Sequence, residues 1–216
     1  MDDNIKEKNL ITFNVITLGE SNVGKTSIIK RYLYNKFDEM TLPTIGINSG
    51  FKEIKLKNNE NIILKIIDTA GQERFGSLSK NYFKNADAVL FVFSLDKKES
   101  LDTIYEWKKL FEENKIREGI PTFLIRNKCD LDEEEFDEEL VEDLLRENYF
   151  LRFVSISAKN DININELFED LAENCYKKCL QYKNKKQYAK TISMKIPKKK
   201  RPNCCRPDDY TEIYLD

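Results

Sequence analysis

The chain has 216 residues, of which 40% are hydrophobic and 34% charged, which is typical of one soluble globular domain. No apolar run is long enough to span a bilayer, and the start Met1-Asp2-Asp3-Asn4 excludes both a signal peptide and N-myristoylation, which needs glycine at position 2. The net charge is −2, but residues 181–216 carry +6 and the rest −8, which argues against a nucleic-acid-binding core.

Apolar runs alternate with helix-like segments along most of the chain. The predicted strands are Ile11–Leu18, Asn48–Lys57, Ile62–Ile67, Ala88–Ser94, Thr122–Ile125 and Phe150–Ser155. The predicted helices are Lys25–Asn35, Ser100–Asn114 and Ile164–Leu180. This alternation predicts an α/β fold with a six-stranded, mostly parallel sheet covered by helices on both faces. Ligands of such sheets bind beyond the carboxyl ends of the strands.

The first motif follows the first predicted strand and opens the first predicted helix. Its sequence is Gly19-Glu20-Ser21-Asn22-Val23-Gly24-Lys25-Thr26, followed by Ser27, and it has the spacing of a phosphate-binding loop. Backbone N–H groups and the helix N-terminus would point at the phosphates, and Lys25 would neutralise them. The hydroxyl of Thr26 would bind Mg²⁺. The alternative, a glycine-containing turn with an incidental lysine, does not account for the strand and helix on either side.

The second motif, Asp68-Thr69-Ala70-Gly71-Gln72, ends the third predicted strand. A carboxylate at this place can reach the Mg²⁺ shell through water. Gly71 can donate its N–H to a γ-phosphate, and Gln72 is placed to orient an attacking water. Any strand can end in aspartate and a turn, so this motif gains its meaning from the phosphate-binding loop before it.

The third motif, Asn127-Lys128-Cys129-Asp130, follows the fifth predicted strand. Asp130 can accept hydrogen bonds from both N1–H and the 2-amino group of guanine, a donor pair that adenine lacks. Asn127 can tie loops together, and the stem of Lys128 can cover the face of the base. After the last predicted strand, Ser157-Ala158-Lys159 would close over the base.

These pieces, in this order, resemble the Ras-like small GTPases over residues 10–180, and within them the Rab family. The resemblance implies a P-loop NTPase small G domain, and it matches Thr26, Thr44, Gly71 and Gln72 to functional positions. It implies that Thr44 meets Mg²⁺ and the γ-phosphate, so that Thr26, Thr44 and Asp68 form the metal site. Catalysis would fall to Gln72 and Lys25. Residues 1–9 would be an N-terminal extension.

The resemblance also implies a function and a set of partners. The expected protein is a monomeric GTP/GDP switch that hydrolyses GTP slowly and directs vesicle traffic on the cytosolic face of an endomembrane. Its partners would be an exchange factor, a GTPase-activating protein and effectors, but no nucleic acid. A nucleotide-loaded scaffold that hardly hydrolyses is the alternative. A small-substrate P-loop kinase does not explain Asn127–Asp130.

The chain departs from the Rab pattern in four places. Asn22 stands where many relatives have glycine or alanine, and Arg126 stands before Asn127 without an account from sequence. Ser49 and Ile67 replace two of the three aromatic residues that effectors read, the third being Tyr82 or Phe83.

The fourth departure is the C-terminal segment. Residues 181–216 are predicted to have no fixed fold, and Cys204-Cys205 are followed by eleven further residues instead of ending the chain. Four alternatives are open: prenylation of this pair in spite of the extension, processing of the tail, membrane attachment by another route, and a solvated basic tail with two free thiols. Cys175 and Cys179 have no nearby further ligands for zinc, so we expect reduced thiols.

The acidic run 132–139 is expected to be a solvated loop entering a helix, with metal binding as the alternative.

Overall fold

The computed structural model of the protein describes residues 10–39, 44, 46–69, 77–131, 138–147 and 149–195. The strands are β1 (Ile11–Leu18), β2 (Ile47–Lys55), β3 (Asn61–Thr69), β4 (Ala88–Ser94), β5 (Thr122–Asn127) and β6 (Arg152–Ser155). The helices are α1 (Lys25–Tyr34), α2 (Ser77–Asn85), α3 (Glu99–Asn114), α4 (Glu138–Arg146) and α5 (Ile164–Lys195). The chain divides into two compact units, one ending at Cys179 and the other beginning at Leu180.

The six strands form one sheet in the order β2-β3-β1-β4-β5-β6. Every neighbouring pair is parallel except β2 and β3, which are antiparallel and joined by a short polar turn. The α/β class predicted from the sequence is confirmed. Because β1, β4 and β5 run in the same direction, the segments that follow them meet at one edge of the sheet, where the site lies.

Successive residues of the central strands point to opposite faces and so belong to two separate cores. On one face, Val15, Leu90 and Phe123 are fully or almost fully buried under α1 and α5. On the other face, Ile16, Phe91 and further buried residues pack against α2, α3 and α4. The two cores cover both faces of β4. This strand is therefore buried along its whole length, as its continuous apolar sequence predicted.

Helices α1 and α3 match their predicted bounds to within one residue, whereas α2 and α5 differ more strongly from the predictions. Helix α2 was not predicted, because Ser77–Asn85 is largely polar and has few apolar residues to reveal a helical period. Helix α5 was predicted to end at Leu180, and the segment after it to have no fixed fold, but the helix continues to Lys195. Residues 181–195 contain neither glycine nor proline, and the first proline after them is Pro197, so no residue type interrupts the helix. Cys204 and Cys205 lie outside the described residues.

Along the part of the chain that the structure describes, no helix is both long and apolar enough to cross a bilayer.

Candidate functional site

A cavity of about 520 Å³ lies at the edge of the sheet where β1, β5 and β6 end. The predicted residues that line it are Ser21, Asn22, Gly24, Lys25, Thr26, Ser27, Thr44, Asn127, Lys128, Asp130, Ala158 and Lys159. Five other predicted residues, Gly19, Glu20, Val23, Asp68 and Ser157, are placed beside this lining without forming part of it. Gly71 and Gln72 lie outside the described residues. The cavity therefore gathers segments that are more than 130 residues apart in sequence.

The loop between β1 and α1 has a backbone that requires its glycines. Gly19 has φ +146°, and a Cβ there would lie 2.1 Å from the carbonyl oxygen of Val92. Gly24 has φ +91°, and a Cβ there would lie 2.2 Å from Nδ2 of Asn127. Asn22 has φ 67°, a left-handed conformation that asparagine tolerates better than most residues. Its presence in the loop is thus compatible with the fold.

Lys25 lies in the first turn of α1, and its side chain extends back to the start of this loop. Its Nζ donates to the carbonyl oxygens of Gly19 and Glu20, each at 2.9 Å, and the side chain is only 6% exposed. The first turn of α1 contains no acidic residue, so no carboxylate of that turn neutralises the positive end of the helix dipole. A buried ammonium beside a helix N-terminus forms an anion-binding site, which suits a polyphosphate.

Three oxygen-bearing side chains from distant segments meet beside Lys25. The hydroxyl of Thr26 lies 2.7 Å from that of Thr44 and donates to Oδ2 of Asp68, also at 2.7 Å. Asp68 is 4% exposed, and no described residue donates to its Oδ1. Burial raises the pKa of this carboxyl above its ordinary value, although the Thr26 hydrogen bond and the charge of Lys25 act in the opposite direction.

Mg²⁺ fits this group of oxygens. It prefers hard oxygen ligands and is usually held by one or two carboxylates together with substrate phosphates and water. A buried carboxylate oxygen without a donor is a polar atom that a cation can satisfy. Within the described residues, no group of three or more histidines, cysteines or acids is arranged to hold a metal ion.

The opposite end of the cavity is built from the loops after β5 and β6. Asn127 is 1% exposed, donates through Nδ2 to the carbonyl oxygen of Val23 at 2.8 Å, and accepts through Oδ1 from the N–H of Ala158 at 3.3 Å. The hydroxyl of Ser157 donates to Oδ1 of Asp130 at 2.5 Å. Asn127 thus ties the phosphate-binding loop to the loop after β6, and Ser157 orients the carboxylate that was predicted to recognise guanine.

Lys128 has φ 63°, and its Nζ donates to the carbonyl oxygen of Asn22 at 3.0 Å and to Oδ2 of Asp96 at 2.5 Å. The hydrogen bond from Lys128 to Asn22 is a second link between the two ends of the cavity. Lys159 meets Glu39 at 3.7 Å, but both side chains are more than half exposed, so that ion pair contributes little.

Sequence reasoning missed several residues of the site. Phe37, Asp38 and Glu39 line the cavity, and Phe37 also packs against the core beneath α1 and α5. An apolar residue inside the polar run Asn35-Lys36-Phe37-Asp38-Glu39 was the available signal for Phe37. Arg31, on α1, bonds the carbonyl oxygens of Ala158 and Lys159. No sequence pattern marks that contact, because its partners lie 127 and 128 residues away.

The structure shows the surroundings of two residues at which the chain departs from the Rab pattern, Arg126 and Ser49. Arg126 donates from Nε to Oγ of Ser155 at 2.9 Å and from a terminal nitrogen to Oε1 of Glu138 at 2.6 Å, so it joins β5 to β6 and α4. Ser49 is exposed and lies opposite the buried Ile67 on the β2–β3 pair.

Of the two residues predicted as alternatives for the third aromatic position, Phe83 is fully buried and faces the core under α2 and α3. Tyr82 is half-buried and remains the candidate.

The "Ras family" model matches residues 14–177, which include both ends of the cavity. The chain belongs to the Ras family. Among its relatives, Rab-32B of Dictyostelium discoideum is 35% identical over 176 residues, covering 80% of this chain and 67% of the relative. Rab-13 of Rattus norvegicus is 33% identical over 163 residues, covering 75% and 79%. Rab-9A of Mus musculus is 31% identical over 199 residues, covering 89% and 96%. This Ras-family chain is therefore a small GTPase related to Rab proteins.

Proposed function

We propose that the protein is a GTP/GDP switch that hydrolyses GTP slowly with Mg²⁺ and regulates vesicle-mediated membrane traffic. The observation that carries the proposal is the pairing of two features in one cavity. One end has a buried ammonium at a helix N-terminus beside the buried carboxylate of Asp68 and the hydroxyls of Thr26 and Thr44. The other end has a carboxylate held by Ser157. Together they suit a polyphosphate joined to a base with two adjacent donors.

In this mechanism the chain mainly binds and positions the substrate. Lys25 and the amides at the start of α1 stabilise negative charge on the β- and γ-phosphates. Thr26, Thr44 and Asp68 would hold Mg²⁺, which neutralises charge that develops on the phosphate oxygens. From its place in the sequence, Gln72 would orient the attacking water in line with the leaving group. Asn127 keeps both ends of the cavity at a fixed separation.

The same contacts would convert hydrolysis into a change of surface. With GTP bound, Thr44 and the N–H of Gly71 would meet the γ-phosphate. Loss of that group would remove both contacts and change the surface around them. An exchange factor, a GTPase-activating protein and effectors would read the two states. We place the protein on the cytosolic face of an endomembrane, with the basic C-terminal segment, and lipid on Cys204 and Cys205, as the means of attachment.

The test of base recognition is competition between nucleotides on purified protein with Mg²⁺. Wild-type protein should bind GDP and GTP far more tightly than ADP and ATP. Asp130→Asn should lose most of this preference, because the amide cannot accept both hydrogen bonds. Glu53→Gln, a comparable acid-to-amide change on β2, should retain it. Unchanged preference for guanine in Asp130→Asn would refute the assignment of Asp130.

A scaffold that stays loaded with nucleotide is the second candidate, favoured by the exposed Ser49 where Rab proteins present an aromatic residue. Phosphate release from GTP-loaded protein separates the two functions. A switch should release phosphate slowly alone and faster with a cell extract that supplies an activating protein. A scaffold would show no stimulation.

A further inference from the structure

Arg31 connects the end of α1 to the loop that follows β6. Its Nε donates to the carbonyl oxygen of Ala158 at 2.8 Å, and one terminal nitrogen donates to the carbonyl oxygen of Lys159 at 2.9 Å. Two consecutive backbone carbonyls are thus held by one planar guanidinium. Lysine cannot reproduce this arrangement, because its ammonium is a single point of donation at the end of a flexible stem.

The guanidinium is itself held in place from its own helix. Its other terminal nitrogen donates to Oδ1 of Asn35 at 3.1 Å. Asn35 caps the C-terminus of α1 in a left-handed conformation, with φ 52°, and its N–H donates to the carbonyl oxygen of Arg31 at 2.9 Å. The side chain is therefore fixed between the end of a helix and the loop that it contacts.

The loop that Arg31 holds is the one that orients the predicted base-recognising carboxylate. Ser157, the residue before Ala158, donates its hydroxyl to Asp130, and the N–H of Ala158 donates to Asn127. A displacement of the Ala158 and Lys159 carbonyls would move both of these donors.

We propose that Arg31 is a positioning residue for guanine recognition: through Ala158 and Lys159 it sets the place of Ser157, and through Ser157 the orientation of the Asp130 carboxylate. This inference rests on the proposed function, because it assumes that Asp130 contacts the base. Arg31 does not line the cavity and contacts no phosphate-binding group, so its effect should fall on the base and leave the phosphates unaffected.

The experiment measures the dissociation of fluorescent GDP and of the matching inosine diphosphate from wild-type protein, Arg31→Ala and Arg31→Lys. Inosine lacks the 2-amino group, so it can make only one of the two hydrogen bonds to Asp130. In wild-type protein IDP should therefore leave faster than GDP. We expect Arg31→Ala to release GDP about tenfold faster, the effect of losing charge-assisted hydrogen bonds. Its release of IDP should change much less, so the ratio of the two rates falls towards one.

Arg31→Lys keeps the charge and much of the stem, so it tests the guanidinium geometry in a protein that should fold. It should show a ratio between those of wild type and Arg31→Ala. Arg152→Ala is the matched control, because Arg152 donates to Asp170 at 3.0 Å on the surface, away from the cavity lining. Its rate ratio should equal that of wild type. Single-turnover hydrolysis of bound GTP should stay within about twofold in all three variants.

An unchanged ratio of IDP to GDP release in both Arg31 variants would overturn the inference, even if both nucleotides left faster. Equal acceleration would mean that Arg31 only stabilises the fold. Failure of the proposed function gives a different result, since wild-type protein itself would then not distinguish GDP from IDP or from ADP.

Discussion

Asp68 is a residue of the site whose carboxyl pKa is changed by folding. Burial raises the pKa of its carboxyl above the ordinary value of 3.8, so the folded protein keeps the proton at a pH where the unfolded chain has lost it. The free energy of unfolding of nucleotide-free protein should therefore fall as pH rises from the ordinary value through the raised one. Above that window the charged carboxylate destabilises the empty site, and binding of a cation reverses this.

We predict that Asp68→Asn removes this fall in the free energy of unfolding, because an amide does not titrate. Urea unfolding in EDTA, from about pH 4 to about pH 7, measures it. The same variant should bind Mg²⁺ in the GDP complex about 10–100-fold more weakly, as is typical when a residue that orients a metal's water ligands is lost. Asp161→Asn, at an exposed position with φ 57°, should behave as wild type in both measurements. A parallel pH profile for Asp68→Asn and wild type would contradict the prediction.

Gly19 allows a test of the backbone of the phosphate-binding loop. A Cβ at this position would lie 2.1 Å from the carbonyl oxygen of Val92, which belongs to the fully buried strand β4 and cannot move aside. We predict that Gly19→Ala lowers the free energy of unfolding by about 3 kcal/mol and weakens GDP binding.

The matched control for Gly19 is Gly46→Ala, also at positive φ, where a Cβ would meet nothing within 4 Å. It should cost only the strain of the left-handed conformation, about 1 kcal/mol. Equal losses in thermal or urea unfolding for the two variants would show that the contact with Val92 is not what requires glycine.

Individual residues differ in how far the sequence revealed them. Lys25, Asn127 and Asp130 could be predicted, because each stands at a fixed spacing within a short motif that follows a strand. Arg31 and Phe37 could not be assigned roles in this way, since their partners are brought to them only by the folding of distant segments. Contacts between loops depend on the geometry of the whole sheet, which local sequence does not encode.

Strands and helices also differ in how well the sequence predicted them. The bounds of β1 and β4 were predicted correctly, because both are rich in apolar residues, continuously so in β4, and have polar residues or turns at their ends. The end of α5 was not, because its later residues form a helix without an apolar stripe that would reveal the period. Sequence patterning reveals a helix through a periodic apolar face, so a helical segment whose sequence lacks such a face escapes it.

Arg126 should contribute at the scale of elements by holding α4 to the sheet. Its side chain is 13% exposed, bonds Ser155 and Glu138, and lies 5.5 Å from the ring centre of Phe153. We predict that Arg126→Ala lowers the free energy of unfolding by about 1–2 kcal/mol, since it breaks a partly buried charged network. Amide hydrogen exchange within Glu138–Arg146 should also become faster.

Arg146→Ala is the control for Arg126. Arg146 is also paired with acids, but its side chain is 66% exposed and its partners lie on its own helix. It should change stability by less than about 0.5 kcal/mol. If the two variants were equally stable, the bonds of Arg126 to Ser155 and Glu138 would not hold the elements together.

At the scale of the whole molecule, an acidic unit precedes a basic segment. The residues before 181 carry a net −8 and residues 181–216 a net +6. Among the α5 residues whose burial the structure describes, those that pack in the core beside the sheet extend to Cys179, where the first compact unit ends. Nucleotide binding and membrane attachment should therefore be separable by truncation.

We predict that a chain ending at Tyr182 keeps the full-length melting temperature and rate of GDP release within error. It should no longer sediment with vesicles containing phosphatidylserine, because each lysine or arginine near an anionic surface contributes about 1 kcal/mol. Vesicles of phosphatidylcholine alone should bind neither protein, and added salt should weaken the binding of the full-length chain. A chain ending at Asp170 is the destabilised control, since it lacks the buried residues Leu171, Ala172 and Cys175 and should lose cooperative unfolding. A lower melting temperature for the chain ending at Tyr182 would mean that the basic segment supports the G domain, and that attachment and nucleotide binding are not independent.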